Sequence, residues 1–169
     1  VCSEEMKRIN QQLKTQFPFA DFCIWPGSTL LPYMHHIPSI GFLLVDVERE
    51  VAESVFNLLN SDSAKRVYLM PSLTDFERYI NTNEAIIIRP LISESPLQLV
   101  DGINTPTIEK ILVDIAGDVE FSFLQGVEIN YVYNTIFEKH NINKNKLLRY
   151  ASRRGRKQVV EELIKTNKL

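Results

Sequence analysis

A serine and two carboxylates are the strongest candidates for catalytic residues in this sequence. Gly27-Ser28 follows an aromatic, apolar segment, and Asp46 and Glu48 end the next apolar run. A glycine-serine turn can cradle a triphosphate, and two carboxylates can hold Mg²⁺ against its oxygens. Minimal nucleotidyltransferases have this order of strand, turn, helix and strand with an acidic pair. One hypothesis is therefore a nucleotidyltransferase-like enzyme that uses Ser28, Asp46 and Glu48.

Two features of the spacing weaken this hypothesis. Seventeen residues separate Ser28 from Asp46, which is a longer gap than that class of enzyme usually has. Asp46 and Glu48 also close their strand, whereas the metal-binding carboxylates of that class open it. The acidic pair would then lie at the end of the sheet away from the Gly27-Ser28 turn. We therefore expect the two carboxylates to diverge as ordinary charges at a strand end.

Other catalytic patterns are not indicated. A restriction-type nuclease needs a Glu-x-Lys on the strand after an Asp, and no predicted strand carries one. A degenerate, inactive nuclease-type scaffold stays open as a third alternative. His35, His36 and His140 lack zinc-ligand spacing, because adjacent residues of an extended segment point to opposite sides. Cys2 and Cys23 are too few for a disulfide framework. The sequence predicts neither a metal site nor a cofactor.

Charge divides the chain into two very different parts. Residues 139–169 hold ten Lys or Arg and two acidic residues, whereas residues 1–138 hold nine Lys or Arg and nineteen acidic residues. The formal net charge of −2 therefore hides a C-terminal segment of about +8 and a remainder of about −10. Such asymmetry indicates that one part of a chain contacts something acidic.

The basic side chains lie on and after a helix that we predict over residues 143–152. Leu147, Leu148 and Ala151 would pack inward. Guanidinium groups suit phosphate or carboxylate because their forked donors match those oxygens. Two alternatives to binding stay open: the cations complement a helix dipole, or they pair with acids of the chain itself. The candidate binding residues are Lys144, Lys146, Arg149, Arg153, Arg154, Arg156 and Lys157.

The apolar patterns predict an α/β fold. We expect a mixed sheet of about five strands, at residues 19–25, 41–48, 66–70, 84–89 and 97–100, flanked by helices. Helical spacing predicts helices at residues 3–16 and 50–60, and Ser72 with Asp75 forms a capping box that opens another. Pro90 predicts that the last two strands lie toward a sheet edge.

After Gly102 the β pattern ends and a helical lobe is predicted. Thr105-Pro106 indicates a helix start with Pro at the first helical position. Further helices follow at residues 120–140, 143–152 and 158–166, the last one packing on Val159, Val160, Leu163 and Ile164. Residues 1–104 would form an α/β sheet layer, and residues 105–169 a helical C-terminal lobe packed on it within one compact domain.

The sequence also bears on the compartment of the protein and on whether the chain is a fragment. No apolar run approaches the roughly 20 residues that a membrane helix needs. Residues 1–17 lack the apolar centre of a signal peptide. A reduced cytoplasm is the expected compartment, with no membrane partner. The chain starts with Val1 rather than Met at a helix-like segment, so we expect that an N-terminal portion has been removed.

Three stretches resemble a known family. They are FPFADFCIW at residues 17–25, TPTIEKILVD at residues 105–114 and LLRYASRRGRK at residues 147–157. Together they resemble a bacterial family common in Bacteroides-type genomes, related to AbiEi-like antitoxins and to predicted transcriptional regulators of phage defence. The resemblance covers nearly the whole chain, and its motifs are structural rather than catalytic.

The resemblance implies a function in binding. Members usually carry a winged helix-turn-helix that binds DNA, which would lie ahead of Val1. AbiEi proteins act as antitoxins to a nucleotidyltransferase partner and repress their own operon. The implied function is a non-enzymatic, antitoxin-type domain that contacts DNA phosphates or an acidic protein through its basic helices. The implied partners are operator DNA, through the full-length protein, and a cognate toxin; the oligomeric state stays open.

Overall fold

The structure, a computed structural model, describes residues 2–36, 38–62 and 65–169. Within these ranges no helix is both long enough and apolar enough to span a membrane. The helices are α1 (Glu4–Gln16), α2 (Ala52–Asp62), α3 (Leu73–Tyr79), α4 (Ile108–Ile115), α5 (Val127–Lys139), α6 (Lys144–Arg153) and α7 (Lys157–Thr166). The strands are β1 (Phe22–Pro26), β2 (Leu43–Val47), β3 (Arg66–Leu69), β4 (Ala85–Pro90), β5 (Leu97–Val100) and β6 (Ile103–Pro106). Short 3₁₀ helices occupy Gly27–Tyr33, Arg49–Val51 and Val119–Leu124.

Four strands form a mixed sheet in the order β1-β2-β4-β3. β1 is antiparallel to β2, and both β2 and β3 run parallel to β4. The predicted α/β class with a mixed sheet is thereby confirmed. The prediction that β4 lies toward an edge is wrong, because β4 pairs on both sides. Pro90 is tolerated there because it is the last residue of the strand, where its missing N–H interrupts little of the ladder.

Contacts divide the chain into two compact units. The first contains the described residues of Val1–Ser28, Ser39–Leu91 and Leu97–Pro106. The second contains the described residues of Thr29–Pro38, Ile92–Pro96 and Thr107–Leu169. The sequence predicts a division after residue 104, with residues 29–38 and 92–96 in the sheet layer. In the structure these two short segments belong to the second unit.

One face of the four-stranded sheet forms the core of the first unit. Ile24, Val45 and Ile88 lie on this face and are fully buried. They belong to one apolar cluster with Ile9 of α1 and Leu59 of α2. The helical spacing of apolar residues in α1 and α2 therefore places one stripe of each helix in this core.

A separate hairpin holds the last two strands. β5 pairs with β6 and not with the main sheet, so the prediction of a fifth strand in that sheet is wrong. Asp101 and Gly102 have φ angles of 52° and 77°, as in the two-residue turns that match the twist of a hairpin. The predicted helix start at Thr105-Pro106 is also wrong, because Pro106 ends β6 and α4 begins at Ile108.

Helices α4 to α7 make up most of the second unit. Every residue of α4 from Glu109 to Ile115 is buried, including its charged side chains. α6 buries Leu147, Tyr150 and Ala151 and exposes its cations. The four-residue apolar stripe predicted for α7 is wrong at Val159. Val160 is fully buried, whereas Val159 is 48% exposed.

Candidate functional site

The basic segment consists of α6, a glycine turn and the start of α7. The side chain of Asn143 caps α6 by accepting a hydrogen bond from Lys146 N at 3.0 Å. Gly155 has a φ of 67°, a left-handed conformation that glycine adopts without a Cβ penalty. Around this turn Arg153 stays exposed while Arg154 is mostly shielded from solvent. Adjacent arginines of the same motif thus have different environments.

Arg154 points inward and holds two aspartates. Its Nη1 donates to Asp114 at 2.8 Å and to Asp118 at 3.1 Å, and its Nη2 donates to Asp118 at 2.7 Å. The side chain of Asp114 is fully buried. Burial on its own would lower the pKa of the Arg154 guanidinium, but the carboxylates of Asp118 and Asp114 raise that pKa above the ordinary arginine value. Arg154 is therefore a permanently charged partner of α4.

Arg156 closes the C-terminal end of α4. Its Nη2 donates to Asp118 at 2.7 Å, and its Nη1 donates to the backbone oxygens of Val113 and Asp114 at 3.3 Å. The last carbonyls of a helix lack partners within the helix, so a cation is favourable there. A Cβ on Gly117 would lie 2.8 Å from Arg156 Nε. Glycine at this position leaves the space that the guanidinium occupies.

Lys110 and Tyr150 complete this buried set of polar side chains. Lys110 Nζ donates to Asp114 at 2.5 Å and lies 5.9 Å from the centre of the Tyr150 ring. The Tyr150 hydroxyl donates to Asp114 at 2.7 Å. Burial and the neighbouring Asp114 raise the pKa of Tyr150. The buried carboxylate therefore has the several donors that a charge away from water requires. The Asp114 network, as we name it, consists of Lys110, Asp114, Asp118, Tyr150, Arg154 and Arg156.

Arg149 and Arg153 lie on the exposed side of α6 and share one carboxylate. Arg149 Nη2 donates to Glu94 Oε1 at 2.6 Å, and Arg153 Nε donates to Glu94 Oε2. The Arg149 and Arg153 side chains are 74% and 52% exposed. Hydrogen bonds from Arg153 and Arg149 lower the pKa of Glu94 below the ordinary glutamate value. Glu94 is therefore ionised at neutral pH.

An open depression of about 720 Å³ adjoins these arginines. It is lined by Glu94, Asn145, Leu148, Arg149, Ser152, Arg153 and Lys157. Lys144 and Lys146 are also exposed, on the first turn of α6. The basic surface, as we use the term, consists of Lys144, Lys146, Arg149, Arg153 and Lys157.

The structure therefore separates the seven candidate binding residues into two groups. The five members of the basic surface are exposed, as the binding hypothesis requires. The prediction that Arg154 and Arg156 are binding residues needs correction, because their guanidinium groups are engaged by Asp114, Asp118 and the end of α4. For these two arginines, pairing with acids of the chain itself accounts for the charge.

Asp46, the first candidate catalytic carboxylate, forms a buried ion pair. Arg89 Nε donates to Asp46 Oδ1 at 2.7 Å, and Arg89 Nη2 donates to Asp46 Oδ2 at 3.0 Å. Trp25 Nε1 and Cys23 Sγ lie 3.5 and 3.7 Å from the same Oδ2. Asp46 is 1% exposed. Its carboxylate therefore balances Arg89 inside the first unit.

Ser28 and Glu48 lie at opposite ends of the β1–β2 pair. Glu48 accepts a hydrogen bond at 3.0 Å from the backbone N–H of Asp21, just before β1. Ser28 follows the other end of β1, where Pro26 pairs with Leu43. The two ends of a five-residue strand are about 15 Å apart. The structure does not bring the three candidate catalytic residues together, and the two carboxylates diverge.

The histidines take part in contacts within the second unit. His140 Nε2 lies 2.6 Å from the Tyr33 hydroxyl. His35 and His36 donate their backbone N–H groups to Glu128 Oε1 at 2.9 and 3.4 Å. Over the described ranges, His, Cys, Asp and Glu side chains form no group of three or more that could hold a metal ion.

Sequence reasoning missed the acidic partners of the basic segment. Lys110 and Asp114 are four residues apart on α4, a spacing that puts them on one face. The apolar residues Ile108, Ile111, Leu112 and Ile115 lie on another face, so the spacing fits an exposed ion pair as well as a buried one. Glu94 offered no local signal, because 55 residues separate it from Arg149 in the sequence.

Two of the three stretches singled out in the sequence, residues 105–114 and 147–157, meet in the Asp114 network. Lys110 and Asp114 come from the first of these, and Tyr150, Arg154 and Arg156 from the second.

No curated protein matches the sequence, and no solved structure matches the chain. A family model matches residues 1–169 of the chain, and that family is described as a family of unknown function. The chain belongs to this family, DUF6577.

Proposed function

We propose that this protein acts by binding rather than by catalysis, as a domain of an AbiEi-like transcriptional regulator or antitoxin. Its basic surface contacts the phosphates of operator DNA, and a cognate toxin is its second partner. The resemblance of three stretches to AbiEi-related regulators of phage defence supports this class. The compartment that goes with such a function is the bacterial cytoplasm.

The observation that carries the proposal is the crowding of like charges on the basic surface. Lys146 and Arg149 are three residues apart on α6, and Arg149 and Arg153 are four apart. At these spacings like charges destabilise a helix by about 0.2–0.5 kcal/mol per pair. The side chains are exposed, so burial does not account for them. Glu94 accepts hydrogen bonds from Arg149 and Arg153 and offsets part of this repulsion, and an acidic partner would offset the rest.

The dimensions of the basic surface suit a phosphate backbone. Lys146 and Arg153 are separated by about 10 Å along the axis of α6. One DNA strand carries a phosphate about every 3.4 Å of duplex axis. The surface therefore spans several phosphates of one strand. Phosphate contacts position a protein without reading bases, so we expect this domain to add affinity and not sequence preference.

The experiment compares two triple variants of equal charge. Lys144→Gln, Lys146→Gln and Lys157→Gln together remove three cations of the basic surface. The control removes three exposed cations elsewhere, Arg8, Arg49 and Arg78, each replaced by Gln. Fluorescence anisotropy measures binding to a mixed-sequence DNA duplex over a range of salt concentrations. If three phosphate contacts are lost, the slope of log K against log salt should fall by about 2.7 in the lysine variant. The control should keep the wild-type slope.

Polyglutamate serves as a second probe in the same assay. Wild-type protein that binds polyglutamate but not DNA, with loss of binding in the lysine variant, would indicate an acidic protein partner instead. Equal weakening of DNA binding by both triple variants would show only the effect of net charge and would contradict the proposed surface. Absence of binding to either polyanion would overturn the proposal.

A further inference from the structure

The carboxylate of Glu94 is held in the manner of a bound ligand. Arg149 and Arg153, one helical turn apart, each donate to a different oxygen of this carboxylate. Two forked guanidinium groups that converge on one anion form an arrangement suited to a phosphate as well as a carboxylate. The site therefore has the donors for one phosphate group.

The backbone that presents Glu94 is in an unusual conformation. Glu94 has a φ of 63°, in the left-handed region that residues other than glycine, asparagine and aspartate adopt infrequently. The turn is closed by hydrogen bonds from Ser95 N and Ser95 Oγ to the Ile92 oxygen, at 3.2 and 2.5 Å. Such conformations persist where the surrounding structure enforces them and are concentrated at functional sites. This turn brings the carboxylate to the two arginines.

The space beside Glu94 can admit a larger anion. The open depression of about 720 Å³ continues from Glu94 to Asn145, Ser152 and Lys157. These side chains add amide, hydroxyl and ammonium donors next to the guanidinium groups. A phosphodiester that replaced the Glu94 carboxylate would therefore find further donors within the same depression.

We propose that Arg149 and Arg153 form a binding site for one phosphate of the nucleic acid, and that Glu94 occupies this site in the free protein as an internal competitor. This inference rests on the proposed function. Displacement of Glu94 is feasible because exposed ion pairs in water are weak. A phosphate accepts charge-assisted hydrogen bonds from the same donors, as the Glu94 carboxylate does. Glu94 thereby limits the affinity of the basic surface for DNA.

The test uses Glu94→Gln, with Glu162→Gln as the matched control. Both substitutions remove one negative charge from an exposed position of the second unit, but Glu162 lies on α7 and does not line the depression. Glu94→Gly is a second variant, in which glycine suits the left-handed backbone. We expect both Glu94 variants to bind the mixed-sequence duplex about two- to tenfold more tightly than Glu162→Gln at low salt. Circular dichroism checks that each variant is folded.

A double-mutant cycle assigns the gain to the two arginines. When Arg149 and Arg153 are both replaced by Gln, the additional substitution Glu94→Gln should no longer strengthen binding. Equal affinities of Glu94→Gln and Glu162→Gln would overturn the inference, as would a gain that persists without the arginines. Tighter binding to polyglutamate with unchanged binding to DNA would overturn the assignment to phosphate.

The two proposals can fail separately. If the lysine triple variant loses its salt slope while Glu94→Gln behaves like Glu162→Gln, the internal competitor is refuted and the DNA-binding surface stands. If neither the lysines nor Glu94 affect binding to DNA, both proposals fall. If wild-type protein binds neither DNA nor polyglutamate, both proposals fall, because the second rests on the first.

Discussion

Replacing Arg154 with Gln should destabilise the protein, whereas the same change at Arg153 should leave its stability unchanged. The two arginines are adjacent in the sequence, and the two substitutions remove the same charge and the same volume. Arg154 contacts two aspartates in the interior of the second unit. Arg153 is 52% exposed and contacts Glu94 at the surface. Comparing the two variants therefore distinguishes the buried, structural part of the basic segment from its exposed part.

The size of the effect follows from the hydrogen bonds of Arg154. It makes three of them, to Asp114 at 2.8 Å and to Asp118 at 2.7 and 3.1 Å. Removing one partner of a buried ion pair costs about 3–5 kcal/mol. The loss is smaller here because Lys110 and Tyr150 still donate to Asp114. We expect Arg154→Gln to lower the free energy of unfolding by about 2–4 kcal/mol, a large part of the total of about 5–15 kcal/mol that is typical of a domain.

Two measurements check this expectation. Urea unfolding followed by far-UV circular dichroism gives the change in free energy, provided that the slope m is unchanged. Hydrogen exchange with mass spectrometry locates it, and exchange should rise most in α4 and α6 of the Arg154→Gln variant. Equal stability of the Arg153 and Arg154 variants would refute the reasoning. So would increased exchange confined to other elements, because the Asp114 network would then not be what holds α4.

Three further predictions concern the interior of the protein. Because the pKa of Tyr150 is raised by burial and by Asp114, stability should be complete below about pH 10 and fall as pH rises above it; tyrosinate absorbance that develops well before unfolding and is missing from a Tyr150→Phe variant would contradict this. Gly41→Ala should destabilise the first unit by about 1–3 kcal/mol, since a Cβ would lie 2.6 Å from the backbone oxygen of Asn83, and an unchanged urea midpoint would show that the backbone can move apart. Asp46→Asn should lower stability by about 3–5 kcal/mol because it removes the charge of the carboxylate that accepts two hydrogen bonds from the buried Arg89. Mg²⁺-dependent nucleotide transfer that this variant loses while its unfolding midpoint is unchanged would instead support the nucleotidyltransferase alternative.

Local spacing predicts much of the fold. Apolar residues at helical intervals correctly locate α1 and α2, since each helix buries one stripe in the core of the first unit. The Ser72 side chain accepts a hydrogen bond from Asp75 N at 3.1 Å, as the predicted cap requires. Both features depend on residues within one or two turns of each other, which is why the sequence alone is sufficient to find them.

The hairpin of β5 and β6 was not predicted, although the residues that indicate it are close together in the sequence. Asp-Gly between two apolar segments is a strong indication of a two-residue hairpin turn. Asp101-Gly102 meets this condition, but the proline at position 106 also fits the first residue of a helix. A proline is equally compatible with the end of an edge strand, where no further backbone donor is needed. The Asp101-Gly102 turn is therefore the stronger evidence, and it favours a hairpin over a helix that starts at Pro106.

The inward direction of Arg154 could not be predicted from spacing. Arg154 follows the end of α6, where helical periodicity no longer fixes the direction of a side chain. Its contacts are with Asp114 and Asp118, 40 and 36 residues earlier in the sequence. The charge asymmetry of the chain indicates that partners exist, but it does not say which cations pair with the chain itself and which stay exposed.

This division changes how the basic segment has to be tested. A simultaneous replacement of Arg153, Arg154 and Arg156 with Glu would be a natural experiment for a surface that binds an acidic partner, and from the sequence such a variant is expected to fold. In the structure it would place two new carboxylates beside those of Asp114 and Asp118 and remove the guanidinium donors of Arg154 and Arg156, which is strongly destabilising. Loss of DNA binding would then report loss of folding. Only substitutions confined to the exposed cations can distinguish a binding surface from a structural one, because those side chains can change their charge without leaving a buried carboxylate unpaired.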